Sequence, residues 1–136
     1  MANQPTDYSQ FRTRVFKRIK KLTDEQIPVF VIKVGFDILG RVVEKTPVDT
    51  GRARGGWQVN LNAIGEGALG KSKDGARVNA AGQARILKYR LGDTINLTNG
   101  VVYIVPLENG HSKQARNPTG MVKVTIAEMR AAGIAL

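Results

Sequence analysis

The sequence contains no cysteine and only one histidine in its 136 residues. The lack of cysteine excludes disulfides and thiolate-bound metals, and it is typical of proteins made for a reducing compartment. His111 lies in a polar stretch, with no carboxylate or nucleophile at the spacing of a metal site or an acid–base pair. We therefore expect no metal, no cofactor and no catalytic residue, and a protein that is not an enzyme.

Long apolar runs and phosphate-binding glycine motifs are also missing. Residues 27–39 form the longest apolar run, but Pro28, Lys33 and Asp37 interrupt it, and it is too short to span a bilayer. The start of the chain is polar and unlike a secretory signal. The 15 glycines do not fall in the spacings of nucleotide-binding loops or of a nucleophile elbow. These observations predict an intracellular protein without a membrane segment.

Acidic residues are scarce relative to basic ones. There are 21 lysines and arginines against 11 aspartates and glutamates, which gives a formal net charge of +10. Residues 1–57 carry +5 of this excess, residues 58–90 carry +4 and residues 91–136 carry +1. Such a charge favours an acidic partner surface, nucleic acid or assembly beside a polyanion, and by itself it does not choose among them. The length suits a single domain over residues 1–136.

Helical periodicity dominates the first third of the chain. Residues 1–7 are polar, and we expect them to be disordered. Residues 8–22 are predicted to form a basic amphipathic helix, because apolar side chains recur there every three or four positions among lysines and arginines. A second helix is predicted to run to about Lys45. It begins either at a capping box formed by Thr23 and Gln26 or with Pro28 at its first position.

The stretch from Thr46 to Arg52 separates this helix from the next element. Pro47 fixes its own φ, Gly51 can adopt a positive φ, and the Asp49 side chain can bond to the backbone two residues further on. We interpret the stretch as a rigid corner, although an ordinary loop that ends a helix is the simpler alternative. A half-buried strand is predicted next, because Trp57, Val59 and Leu61 alternate with polar residues.

The remaining sequence predicts an α+β fold with a small antiparallel sheet. Residues 63–84 are predicted to be a long flexible loop whose Lys71, Lys73 and Arg77 face a partner or DNA. A strand is expected over residues 93–98, and Asn99–Gly100 predicts a hairpin turn with a return strand over residues 101–105. A last helix is expected from Gly120, capped by Thr119, to about Ala132. Its β-branched first half is also compatible with a strand.

Two separated segments resemble one family of phage proteins. Thr46–Arg54, with Trp57 opening the next strand, is similar to the signature of the tailed-bacteriophage tail-component family found among neck and tail-completion proteins. The second segment comprises Asn99, Tyr103, Leu107–Gly110, Ser112–Ala115 and Gly120–Met121. The likeness covers roughly residues 25–132. The chain departs from the family pattern at Ala53, Asn109 and Arg116–Pro118, which concerns local packing.

The resemblance implies a structural virion protein without catalytic residues. It implies a ring of six copies in the neck or at the head-proximal end of the tail, through which DNA passes without sequence-specific recognition. The partners would be neck or connector proteins and tail-tube or tail-terminator proteins. The location would be the virion, and the host cytoplasm during assembly. A small basic nucleic-acid-binding protein is the alternative, and a phage nuclease is the least favoured.

The resemblance also implies roles for particular residues. It favours a helical turn over the return strand at residues 101–105. It suggests an ion pair between Glu108 and Arg52 or Arg54, within a subunit or across the ring. The residues expected to define the fold or the subunit contacts are Pro47, Asp49, Thr50, Gly51, Arg52, Arg54, Trp57, Tyr103, Glu108, Gly110 and Ser112.

Overall fold

The computed structural model describes residues 23–65, 69–110 and 120–134. Within these ranges it contains five helices and one antiparallel pair of strands, so the predicted α+β class is confirmed. The predicted elements in residues 1–22, the cap at Thr119 and the motif residue Ser112 lie outside the described residues. The elements in chain order are α1 Gln26–Lys45, α2 Arg52–Gly55, β1 Trp57–Leu61, α3 Ala76–Ile86, β2 Ile95–Asn99, α4 Ile104–Glu108 and α5 Met121–Ala131.

Helix α1 begins with the predicted capping box. The Thr23 amide donates to Gln26 Oε1 at 3.1 Å, and the Gln26 amide donates to Thr23 Oγ1 at 3.2 Å. The Ile27 amide donates to the Thr23 carbonyl at 3.0 Å, and the next residue, Pro28, has no amide proton with which to continue this series of helical bonds. The helix ends at Lys45 as expected, because Thr46 is extended before Pro47, with ψ at 121°.

The core lies where α1, α3 and the sheet meet. Helix α3 runs antiparallel to α1, and glycines allow the close approach: a Cβ on Gly82 would lie 2.4 Å from Leu39 Cδ2, and one on Gly35 would lie 3.2 Å from Ile86 Cγ2. The buried cluster contains Leu39, Val42, Val43, Ala53, Trp57, Val59, Val78, Ile86, Leu107 and Met121.

The prediction of one long loop over residues 63–84 is wrong for its second half. Helix α3 occupies Ala76–Ile86, and Val78 and Ile86 are buried against the core. The glycine content of the segment suggested a loop, yet Gly75 serves as the helix start with φ at 76°, and Gly82 serves the contact with α1. Tertiary packing here outweighs the low helix propensity of glycine.

The predicted hairpin is also wrong. Strand β2 pairs antiparallel with β1, in a register that places Trp57 opposite Asn99 and Leu61 opposite Ile95. No return strand follows in the described residues 101–105, where a turn leads instead into α4. The helical turn that the family resemblance favoured is therefore confirmed. Asn99 does not act as a hairpin residue because its side chain is engaged in tertiary hydrogen bonds.

The last helix, α5, packs against α1 and is confirmed close to its predicted bounds. Its buried residues are Met121, Thr125 and Met129, whereas Val122 is 38% exposed. Thr125 is accommodated because its hydroxyl donates to the Met121 carbonyl at 2.7 Å. Within the described ranges, no helix has the length and apolarity needed to cross a membrane.

Candidate functional site

The corner between α1 and β1, residues 46–57, is centred on a buried hydroxyl group. Thr46 is fully buried, and its Oγ1 donates to the Val42 carbonyl at 2.8 Å. The same oxygen accepts a hydrogen bond from the indole Nε1 of Trp57 at 2.8 Å. Both polar groups are therefore satisfied inside the core, where an unmade bond would be costly. The spacing of Thr46 and Trp57 in the first motif follows from this contact.

Arg54 closes the corner from its outer side. Its guanidinium donates to the backbone carbonyls of Lys73 at 2.7 Å, Glu44 at 2.8 Å and Thr46 at 3.0 Å. A planar group with several fixed donors can join three chain segments in this way, and a lysine could not reproduce the geometry. The predicted role of Arg54 as a fold-defining residue agrees with these bonds.

The segment before α3, residues 69–75, lies against the corner. Gly51 has φ at 86°, and a Cβ there would lie 2.9 Å from the Lys73 backbone nitrogen. The Gly51 carbonyl accepts from the Ser72 amide at 2.9 Å. Arg77 donates to the carbonyls of Gly55 at 2.9 Å and Gly70 at 2.8 Å. Glycine is thus required at position 51 both by its conformation and by this close approach.

Asn99 connects the second motif segment to the first. Its Nδ2 donates to the Ala53 carbonyl at 2.8 Å, and its Oδ1 accepts from the Val101 amide at 3.0 Å. It also lies opposite Trp57 in the sheet. The sequence predicts a turn at Asn99. The only sequence signal for its bond to Ala53 is an amide side chain at the end of a strand.

Glu108 caps the last helix. Its Oε2 accepts from the Val122 amide and its Oε1 from the Lys123 amide, each at 3.0 Å. Both carboxylate oxygens therefore serve the first turn of α5, where negative charge is favoured. The predicted ion pair between Glu108 and Arg52 or Arg54 within the subunit is wrong, because the carboxylate is held at a different helix end.

An exposed apolar surface surrounds the start of α4. Val102 is 91% exposed, Val105 65% and Tyr103 39%. Leu107 of the same helix is buried, and Glu108 at its end caps α5. We call Val102, Tyr103 and Val105 the α4 face. Neighbouring exposed side chains of this kind mark an interaction surface more often than isolated ones do.

A cluster of charged side chains joins α1 to α5. Glu128 Oε1 lies 2.6 Å from Lys45 Nζ, Glu128 Oε2 lies 2.8 Å from Arg41 Nη1, and Arg41 Nε lies 2.7 Å from Asp37 Oδ1. The hydrogen bond from Lys45 above all, and then that from Arg41, lowers the pKa of the Glu128 carboxyl against an opposing effect of desolvation. Hydrogen bonds to Asp37 and then to Glu128 raise the pKa of Arg41.

The remaining predicted residues divide between the corner surface and the adjacent segment. Pro47 is half-buried, whereas Asp49, Thr50 and Arg52 are exposed. The prediction that the Asp49 side chain bonds to the backbone two residues further on is wrong. In this turn it is Thr50 whose side chain bonds to the backbone, and its Oγ1 accepts from the Arg52 amide at 3.3 Å. Of the other residues singled out in the sequence, Lys71 and Lys73 are exposed, and Gly110 has a positive φ of 83°.

Comparison of the chain with protein-family models, curated proteins and solved structures finds no significant match. In the part of the chain that the structure describes, no group of three histidine, cysteine or carboxylate residues could hold a metal ion. Around the corner, the side chains of Thr46, Arg54, Trp57 and Asn99 hold segments of this chain together.

Proposed function

We propose that this protein is a structural subunit of a tailed bacteriophage that forms a ring in the neck or at the head-proximal end of the tail. The observation that carries the proposal is the meeting of the two motif segments. Asn99 donates to Ala53 across 46 positions of sequence, and Glu108 caps the helix that follows the second segment. Asn99 and Glu108, two of the residues on which the family resemblance depends, thus take part in contacts that join separate segments of the chain.

The direction in which the motif side chains point supports a structural role. Thr46, Arg54 and Trp57 bond to groups of the same chain, and so does Arg77 beside them. These side chains hold three segments in a fixed arrangement, which is what a subunit of a large assembly needs. The proposed partners are the connector and tail-tube or tail-terminator proteins, with DNA passing through the ring.

The α4 face is the proposed contact between neighbouring subunits. It belongs to the second motif segment through Tyr103, and Val102 and Val105 expose most of their apolar surface. A closed ring requires each copy to present a surface that docks on a different surface of the next copy. An exposed apolar face on a short helix that is anchored in the core by the buried Leu107 suits such a contact because little ordering is needed on binding.

Sedimentation velocity at several protein concentrations, with and without a portal or tail-tube extract, tests the ring. We expect a discrete closed oligomer, formed alone or with the extract, and its loss in Val105→Asp. Leu87→Asp is the matched control, because Leu87 is 61% exposed against 65% for Val105 and lies just after α3. A monomer under every condition, or equal effects of the two variants, would contradict the proposal.

A small nucleic-acid-binding protein is the second candidate, favoured by the cations at the corner. Lys73 packs against Gly51 beside the exposed Arg52, and Lys71 is exposed two residues earlier. A ring subunit should bind duplex DNA weakly and without sequence preference. Tight binding by a monomer, with affinity falling steeply as salt rises and with Lys71→Ala and Lys73→Ala each reducing the salt slope, would favour the second candidate.

A further inference from the structure

The first half of α1 is apolar but poorly covered. Val29 is 53% exposed and Phe30 39%, and every other apolar side chain before Leu39 is only half-buried. By contrast, Leu39, Val42 and Val43 in the second half are each 1% exposed. A helix with apolar residues on most of its sides is ordinarily covered by other elements. The first half of α1 therefore has a surface to which something should bind.

An open apolar groove lies along this half of the helix. Its volume is about 390 Å³. We call it the α1 groove; it is walled by Val31, Val34 and Ile38 of α1, by Tyr89, and by Ile95 and Leu97 of β2. Asp93 contributes a carboxylate to its lining, and Asp24 and Glu25 precede the helix. The groove is thus apolar inside, with acidic groups among its lining and near the start of α1.

We propose that residues 8–22 of the same chain occupy the α1 groove. Tyr8, Phe11, Val15, Ile19 and Leu22 form an apolar stripe at helical spacing, and the side chains between them include six lysines and arginines. The apolar stripe is suited to pack on the apolar walls of the groove. The lysines and arginines beside the stripe are opposite in charge to Asp93, Asp24 and Glu25. This occupant does not depend on the proposed ring.

The length of the segment and its point of attachment support this occupant. Fifteen residues at helical rise extend about 22 Å, while Val31 to Ile38 lie about 8 to 18 Å from the start of α1. The capping box at Thr23 marks the N-terminal limit of α1, so the chain can change direction directly before the helix. A segment that returns alongside α1 is therefore long enough to reach past every α1 residue that walls the groove.

Thiol labelling in this cysteine-free chain tests the proposal. Val34→Cys places a single thiol in the groove wall, and Ala84→Cys places one on the exposed side of α3. We expect the groove thiol to react slowly in the full chain. Adding Val15→Glu with Ile19→Glu, which breaks the stripe, should accelerate its reaction roughly tenfold or more, because protection from a docked segment follows its opening equilibrium.

The control adds the same charge off the stripe. Gln10→Glu with Thr13→Glu should leave the reaction of the groove thiol unchanged, and neither pair should affect the thiol at position 84. Fluorescence of Trp57, the only tryptophan, reports whether each variant remains folded. Where the glutamate pair unfolds the protein, Val15→Ser with Ile19→Ser replaces it.

Three results would overturn the proposal. The first is a groove thiol that already reacts as fast as the thiol at position 84. The second is slow labelling that is insensitive to breaking the stripe. The third is protection that disappears on dilution, which would assign the groove to a second copy of the chain. Protection that is independent of concentration and lost only when the stripe is broken supports occupancy by the chain's own segment.

Discussion

Both halves of α1 carry regularly spaced apolar residues, but their surroundings differ. Helix α1 contacts α3 and α5, and in its second half Leu39, Val42 and Val43 are each 1% exposed. The first half has equally apolar residues along an open groove. The difference shows that apolar periodicity identifies a helix but not the extent of its burial, because burial depends on which elements arrive from elsewhere in the chain.

The largest expected effect comes from comparing the same kind of truncation in both halves. Leu39→Ala should lower the free energy of unfolding by about 2–5 kcal/mol, because it leaves a cavity between α1, α3 and β1. Val29→Ala should cost about 1 kcal/mol or less, because its side chain is 53% exposed and does not line the α1 groove. Urea unfolding followed by Trp57 fluorescence measures both values. Similar losses would show that the first half is as well covered as the second.

A smaller effect is expected at the corner that follows the buried half. Thr46→Val keeps the shape but leaves the Trp57 indole N–H without its acceptor, at a cost of roughly 1–3 kcal/mol. Circular dichroism of Thr46→Val, Trp57→Phe and the double variant should show that the two losses are not additive. Thr94→Val on the exposed surface is the control, with an effect within about 0.5 kcal/mol. Additive losses would mean that the hydroxyl and the indole act independently.

The smallest effect concerns the charged cluster that joins the second half of α1 to α5. The pKa of Glu128 is lower in the folded protein than its ordinary value of 4.5. Its contribution to stability is therefore present above the unfolded pKa and is lost as the pH falls through the folded pKa. Glu128→Gln should reduce the dependence of stability on pH below about 5, as measured by thermal unfolding at successive pH values. An unchanged pH profile would assign the acid sensitivity to other carboxylates.

Local patterns predicted the elements whose signals lie within a few residues. The capping box, the end of α1 before Pro47, strand β1 and the last helix all follow from side-chain period and from caps. The helical turn at α4 followed from the family resemblance, whereas the Asn99–Gly100 dipeptide pointed to a hairpin. The dipeptide signal failed there because the Asn99 side chain donates a hydrogen bond to the Ala53 carbonyl.

Two errors share one physical cause. The glycine-rich sequence of residues 63–84 predicts a loop, yet one of these glycines, Gly82, is needed for the contact of helix α3 with Leu39. Glu108 was predicted to form an ion pair with an arginine, yet its carboxylate caps α5 by accepting from two backbone amides. In both cases the residue serves a partner distant in sequence, and no local pattern identifies that partner.

The α+β class, the course of α1, the corner and the excess of positive charge follow from local conformational preference and from composition. Long-range contacts set which residues hold the corner closed, which strands pair, which helix Glu108 caps and which half of α1 is buried. Those outcomes depend on contacts between segments tens of residues apart, whose free energies no local pattern encodes.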